Sequence, residues 1–155
     1  MVGSRYGLEI RAATSADAAG LAELLAAAGR PVAVRDLAER LDALRQEQGF
    51  ALIAMEWGPP SGLVVFHRYR SLDSALPIAQ ITILLVGPDE RRRGLGRLLL
   101  KAAARAARVA GCGDLELLAG PDQVALHAFC HATGFAEHGT RFIRPLRKRS
   151  GPGEA

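Results

Sequence analysis

The sequence predicts an α/β (α+β) fold, in which one sheet holds both antiparallel and parallel neighbours and helices pack against it. Three observations carry this. The runs Phe50 to Glu56 and Leu63 to Arg68 flank the breaker-rich segment Gly58-Pro59-Pro60-Ser61-Gly62, the pattern of an antiparallel hairpin. Strand and helix patterns alternate in the second half, and two strands joined through a helix make a parallel crossover. The stretch Ile81 to Leu100, ITILLVGPDERRRGLGRLLL, passes from an apolar strand through a glycine- and arginine-rich loop into a helix.

Taken in order, Leu8-Glu9-Ile10-Arg11 alternates apolar and polar residues, which predicts a short first strand. Thr14 or Ser15 is placed to cap the next helix, with Asp17 near the positive end of its dipole. That helix runs to about Ala28, with Leu21, Leu24, Leu25 and Ala28 on one face and Gly29 as its C-cap. A second helix spans about Val34 to Gln48 on a Leu37, Leu41 and Leu44 stripe, ended by Gly49. After the hairpin, Arg70 to Leu76 predicts a loop. The strand Ile81 to Val86 follows and stops at Pro88, which has no N–H to give a ladder. Leu95 to about Ala110 predicts a helix with Leu95, Leu98, Leu99, Ala102, Ala106 and Val109 inward. Its Arg97, Lys101, Arg105 and Arg108 lie on the other side. Gly111-Cys112-Gly113 breaks the chain, and Asp114 to Ala119 predicts another strand. Pro121-Asp122 opens a helix through about Thr133, and Thr140 to Leu146 predicts a last strand. The expected order is β-α-α-β-β-β-α-β-α-β.

Composition bounds the function. A chain of 155 residues that is 49% hydrophobic suits one domain with a real core, which we place at 1–148, with a disordered tail at 149–155. No apolar run is long enough to span a bilayer, and MVGSRYGLEIR has no apolar signal region, so neither a membrane role nor export is expected. Two cysteines without a C-x-x-C pair fit a reducing, cytoplasmic setting. The net charge of +4 and isoelectric point near 9.7 suit either nucleic acid or a phosphate-rich cofactor. Aromatics at 5% and the lack of a recognised RNA-binding or helix-turn-helix signature argue against nucleic acid.

The loop of Ile81 to Leu100 predicts an anion site. Tight glycines let several backbone N–H groups turn toward one point, and a helix start adds unpaired donors and a positive dipole end. Arg91, Arg92, Arg93 and Arg97 supply charge around it. Two nucleotide templates fail. No Lys-Ser/Thr follows Gly96, as a P-loop needs, and Leu99 stands where the dinucleotide fingerprint needs its third glycine.

What does match is V-x-P-x-x-R-x-R-G-x-G, formed by Val86, Pro88, Arg91, Arg93, Gly94 and Gly96. This strongly resembles the acyl-CoA pyrophosphate loop of the GNAT superfamily of N-acyltransferases, whose core is Q/R-x-x-G-x-G/A. The segment Gln123 to Phe135, QVALHAFCHATGF, resembles the family's N-x-x-A-x-x-F-Y-x-x-x-G-F helix, with Phe129, Gly134 and Phe135 matching. His127 matches a variant with A-H-x-F-Y at its centre. The resemblance implies a mixed, mostly antiparallel central sheet flanked by about four helices and splayed after the strand at 81–86. It also implies an acetyl-CoA-dependent N-acetyltransferase acting on a primary amine of a small molecule or peptide, and it favours a homodimer. Coenzyme A would lie along Leu84, Leu85 and Val86 and on the loop of Arg91, Arg92, Arg93, Gly94, Leu95, Gly96 and Arg97. Gln123 and Phe129 would meet its pantetheine arm.

Two positions depart from the family pattern. Gln80 stands where many members carry a Glu that takes the amine's proton, and an amide cannot act as a base. His67, Tyr69, Asp73 and Glu116 remain as acceptors. Cys130 stands where a Tyr protonates the leaving thiolate. A thiol can donate a proton, but buried cysteine also serves as plain packing. His127 can handle protons near neutrality or serve as a structural histidine. His127, Cys130 and His131 share helical spacing, yet no fourth ligand follows, so no metal is expected. Gln80 and Cys130 also motivate an alternative, a non-catalytic acyl-CoA sensor on the same fold.

Overall fold

The computed structural model describes residues 4–5, 7–88 and 94–148. The described chain divides into two compact units, one up to Pro121 and one from Asp122. The strands are β1 (Ser4–Arg5), β2 (Leu8–Ala12), β3 (Gly49–Met55), β4 (Gly62–Tyr69), β5 (Ile78–Val86) and β6 (Asp114–Leu117). The helices are α1 (Ala18–Ala27), α2 (Val34–Leu44), α3 (Leu95–Val109) and α4 (Val124–Ala132). All six strands form one sheet in sequence order. Neighbours from β1 to β5 are antiparallel, and only β5 and β6 run parallel, with α3 as the crossover. The mixed, mostly antiparallel sheet with four helices is therefore the architecture among the described residues.

In the first unit the sheet is covered on both faces. On one face Leu21 and Leu24 of α1 pack with Ala51, Ile53, Leu63 and Val65, joined by Leu37, Leu41 and Leu44 of α2 and by Ile83. The other face carries the buried side of α3, Leu95, Leu99, Leu100, Ala102, Ala103 and Ala107. The side chains alternate across β4, so Val65 serves the first face while Val64 and Phe66 serve the second. Phe66 is fully buried and stacks on Phe50 with ring centroids 4.7 Å apart. Burial of a side chain of that size stabilises by about 1.5–3 kcal/mol. Gly62 lies close against α3: a Cβ there would sit 2.7 Å from Leu99 Cδ1 and 3.2 Å from the Leu85 carbonyl oxygen.

Local chemistry fixes the ends of the elements. The Asp17 carboxylate accepts a hydrogen bond from the Thr14 N–H at 2.9 Å and a bidentate pair from Arg11 at 2.8 and 3.0 Å. These bonds tie β2 to the turn that opens α1. The Arg11 hydrogen bond is the main reason that the Asp17 carboxyl lies below the ordinary carboxylate range. A depressed folded-state pKa gives stability that is present above the unfolded value and lost as pH falls through the folded one. Asp17→Ala should cost about 1 kcal/mol at neutral pH, in the range of a lost cap, and the deficit should vanish in strong acid. Urea titrations of both proteins at neutral and acidic pH check this. At the other end of β4, Arg68 Nε donates to the Ala110 carbonyl oxygen at 2.9 Å, closing the C-terminus of α3. Its Nη1 donates to Gln48 Oε1 at 3.2 Å.

Three expectations are corrected. β5 begins at Ile78, three residues before the apolar run, because Ile78 and Ala79 pair with Tyr69 and Arg68 of β4. The second helix ends at Leu44, and Gln48 turns the chain with a left-handed φ of 61°. Thr140 to Leu146 forms no strand. Phe142, Ile143 and Leu146 are 91%, 64% and 87% exposed, and the segment pairs with no strand among the described residues. Alternation alone does not make a strand without a neighbouring ladder, and Pro145 removes one donor. The two-residue β1 carries too little pattern to be read from sequence. The tail at 149–155 lies outside the described residues.

The second unit holds α4 and the chain after it. Phe135 N–H donates to the Cys130 carbonyl oxygen at 2.9 Å, and the Thr133 hydroxyl donates to the Phe129 carbonyl at 2.7 Å, so the helix end is closed by its own exit.

Candidate active site

The geometry of β5 is set by one irregularity. From Ile78 to Ile81 the strand pairs on both sides, with β4 and with β6, and its last link to the β6 segment is Leu118 N–H to the Ile81 carbonyl at 3.3 Å. Val65 pairs with Ile83 and Phe66 with Ile81, so Thr82 is an extra residue, a bulge. Beyond it β5 stays with β4 to Val86, while β6 pairs no further. The sheet therefore opens after Ile81, alongside residues 82–86.

The hydrogen-bond parity says which groups face the opening. Gly87 N–H donates to the Ser61 carbonyl at 2.8 Å. In an antiparallel ladder, every second residue turns its N–H and C=O to the partner. Leu85 and Ile83 therefore face β4, while Leu84 and Val86 direct their backbone groups to the side β6 has left. Leu84 and Val86 thus line an open strand edge, whereas Leu85, grouped with them from the sequence, does not.

The edge leads toward the start of α3. Gly94 is the N-cap and holds φ 73°, ψ 16°, a left-handed conformation that costs an ordinary residue about 1–2 kcal/mol. The first helical bond is Leu98 N–H to the Gly94 carbonyl at 3.2 Å. The N–H groups of Leu95, Gly96 and Arg97 precede it and have no acceptor within the helix, so this end is an anion-directed cradle. Leu95 is buried and anchors it, while Arg97 is exposed in the first turn. Arg91, Arg92 and Arg93 lie outside the described residues.

On the face that carries α1 and α2, polar side chains meet just before the sheet opens. His67, Gln80 and Glu116 are register partners across β4, β5 and β6 and so share one face. Glu116 Oε1 accepts from Gln80 Nε2 at 3.0 Å and from the Tyr69 hydroxyl at 3.0 Å. Partial burial first, then the Glu116 bond, raises the Tyr69 pKa, so Tyr69 is a neutral phenol that holds its proton. Asp73 sits in the exposed loop before β5 and accepts from the Ser71 hydroxyl, which holds its carboxyl below the ordinary range. The sequence singled out Gln80, Tyr69 and Glu116 separately. Their convergence on one oxygen depends on strand register, which no local pattern displays.

The remaining candidates belong to the second unit. Gln123 is the N-cap of α4, and its carbonyl accepts from the His127 N–H at 3.0 Å. Glu137 Oε1 lies 3.8 Å from His127 Nδ1 and 3.6 Å from His131 Nε2, between the two rings. Phe129 and Cys130 are half-buried, and burial pushes the Cys130 thiol up, so it carries its proton at neutral pH. Among the described residues no group of three or more His, Cys, Asp or Glu is placed to hold a metal ion. No described helix is long and apolar enough to cross a membrane.

An open strand edge beside a glycine-capped helix start suits an extended ligand that carries an anionic group. Residues 19–135 match the model of the acetyltransferase (GNAT) family. The match covers most of the chain and spans both compact units, and the chain belongs to this family. The fold agrees with solved structures. A putative acetyltransferase from Agrobacterium tumefaciens is 28% identical, with 88% of this chain and 99% of that one covered and a TM-score of 0.78. An aminoglycoside N-acetyltransferase in complex with CoA is 22% identical, over 97% and 100% of the two chains, with a TM-score of 0.76. A ribosomal-protein-alanine N-acetyltransferase from Brucella melitensis is 22% identical, over 90% and 99%, with a TM-score of 0.76. Comparison with curated proteins gives no match.

Proposed function

We propose that this acetyltransferase moves an acetyl group from acetyl-CoA to a primary amine of a small molecule or peptide, by direct attack. The observation that carries the reading is the open edge of β5, with Leu84 and Val86 turned outward and the α3 start following in sequence. Pantetheine, itself a diamide, suits strand-like pairing with Leu84 and Val86, as a peptide adds to a free sheet edge. The diphosphate suits the N–H groups of Leu95, Gly96 and Arg97, with Arg91, Arg92, Arg93 and Arg97 as counter-charge. The thioester then lies by Leu84, whose N–H polarises the carbonyl as negative charge builds on its oxygen. Catalysis rests mainly on holding amine and thioester together. Gln123, Phe129 and the rest of the α4 motif we assign to the pantetheine arm, on the residues that match the family pattern. The family match across residues 19–135 supports reading 1–148 as one catalytic domain.

The choice of amine is drawn from the relatives. One of them is named for aminoglycosides and another for the alanine of a ribosomal protein. Thiol release from acetyl-CoA, followed over a panel of aminoglycosides, polyamines, amino acids and Ala-terminated peptides, tests the reading. At least one amine should raise the rate well above the amine-free background and gain an acetyl group. CoA binding without any such amine would instead make the chain a sensor.

Cys130 bears on the last step. The leaving thiolate is a weak base that water can protonate, with a thiol pKa near about 8.5. Cys130→Ala should therefore lower turnover less than about tenfold. A larger loss with unchanged acetyl-CoA affinity would make Cys130 the acid.

A further inference from the structure

We propose that Glu116 is the group that takes the proton from the attacking amine, held for that task by Tyr69 and Gln80. The inference rests on the acetyltransferase reading and deepens it. Gln80 occupies the strand position from which a base would act, yet its amide can only donate or accept a hydrogen bond. Its Nε2 donates to Glu116, its register partner on the parallel strand, at 3.0 Å. The carboxylate missing from β5 is therefore present one strand away, about 5 Å across the sheet.

Three features make this more than a surface hydrogen bond. Both donors, the Tyr69 hydroxyl and Gln80 Nε2, converge on Oε1, and no described group donates to Oε2. One oxygen is thus anchored and the other is available. The Gln80–Glu116 row also lies one residue before the Ile81–Leu118 link at which the sheet opens. At about 3.3 Å per residue the thioester by Leu84 lies roughly 13 Å of strand beyond this row, so the amine's proton reaches Oε2 through intervening water. Finally, the α1–α2 core covers this face at Leu63, Val65 and Ile83, whereas Tyr69, paired with Ile78 on the side of the row away from that core, is 39% exposed. An acceptor can enter there.

The step balances. The neutral amine nitrogen forms the N–C bond at the thioester carbon, and the C–S bond breaks. The nitrogen's proton passes to Glu116 Oε2 and on to solvent. The CoA thiolate leaves and takes a proton from solvent. Tyr69 stays protonated throughout and, like Gln80, positions the carboxylate. The other charged or titratable groups on this face of β4 and β6 are His67 and Asp114.

The test uses full-length protein, acetyl-CoA, and the most active amine from the panel. Glu116→Gln should lower kcat by about 100-fold or more, the scale of a lost general base, with acetyl-CoA affinity by calorimetry within about twofold. The exchange variant Gln80→Glu with Glu116→Gln keeps one donor and one acceptor in the row, and it should recover at least tenfold of that loss. Tyr69→Phe should lower kcat several-fold and leave acetyl-CoA affinity alone. If Glu116→Gln keeps kcat within about threefold, the assignment is overturned while the acetyltransferase reading stands. If the single variant is inactive and the exchange variant recovers nothing, Glu116 is structural and the proposal is again overturned. If wild-type protein releases no thiol with any amine, both readings fail together.

Discussion

Gly94→Pro should weaken acetyl-CoA binding at least about 100-fold while leaving a cooperatively folded protein. Proline fixes φ near about −65°. Gly94 holds 73°, so the chain entering α3 must take another path. The three N–H groups at Leu95, Gly96 and Arg97 would then no longer converge on one anion. Among the described residues nothing lies within 4 Å of the place a Gly94 side chain would occupy, so the effect comes from backbone conformation and not from a clash with them. Gly94→Ala isolates that distinction. It pays only the left-handed penalty of about 1–2 kcal/mol and should weaken binding far less. Calorimetric titration of acetyl-CoA into the three proteins checks the order; equal affinities would remove the α3 start from the cofactor site.

Gly62→Val should hurt both stability and donor binding, for a different reason. A Cβ at Gly62 meets Leu99 Cδ1 at 2.7 Å, the Leu85 carbonyl oxygen at 3.2 Å and Leu95 Cδ2 at 3.3 Å. The leucine tips can rotate, but the carbonyl belongs to β5 and cannot yield without moving the strand. Overpacking of this kind costs about 1–3 kcal/mol. The strain falls between the open edge of β5 and the first two turns of α3, the parts that must keep their spacing to hold one cofactor. We expect a clear loss in urea midpoint and about tenfold weaker acetyl-CoA binding, with Gly62→Ala intermediate in both. A variant that loses stability but binds acetyl-CoA normally would show that the spacing of β5 and α3 is not part of the site.

The contrast between these two glycines shows what was legible in the chain itself. Gly94 lies in a tight, arginine-rich loop between strand and helix, and its role follows from local pattern. Gly62 reads as the end of a hairpin turn, and its closeness to Leu99 appears only once α3 has folded back across the sheet. The same division runs through the rest of the fold. The α1, α2 and α3 stripes and the β3–β4 hairpin were legible because each is a local periodicity that burial enforces, although Ala28 and Val109, expected inward at the helix ends, are exposed. The early start of β5, the bulge at Thr82 and the parting from β6 after Ile81 are matters of register, which sequence pattern leaves open. The expected strand at 140–146 had alternation but no partner. At the site, Gln80 stood out as a departure from family pattern, and Glu116 was one of four candidate acceptors. What joined them was the parallel pairing of β5 and β6.

The central claim is that coenzyme A completes the sheet along the open edge of β5, and amide hydrogen exchange by NMR tests it most directly. In the free protein the N–H groups of Ile83 and Leu85 should already be protected by β4, while those of Leu84 and Val86 exchange quickly. Adding saturating acetyl-CoA should slow Leu84 and Val86 at least about tenfold and change Ile83 and Leu85 little. Unchanged exchange at Leu84 and Val86 in the saturated complex would contradict the account.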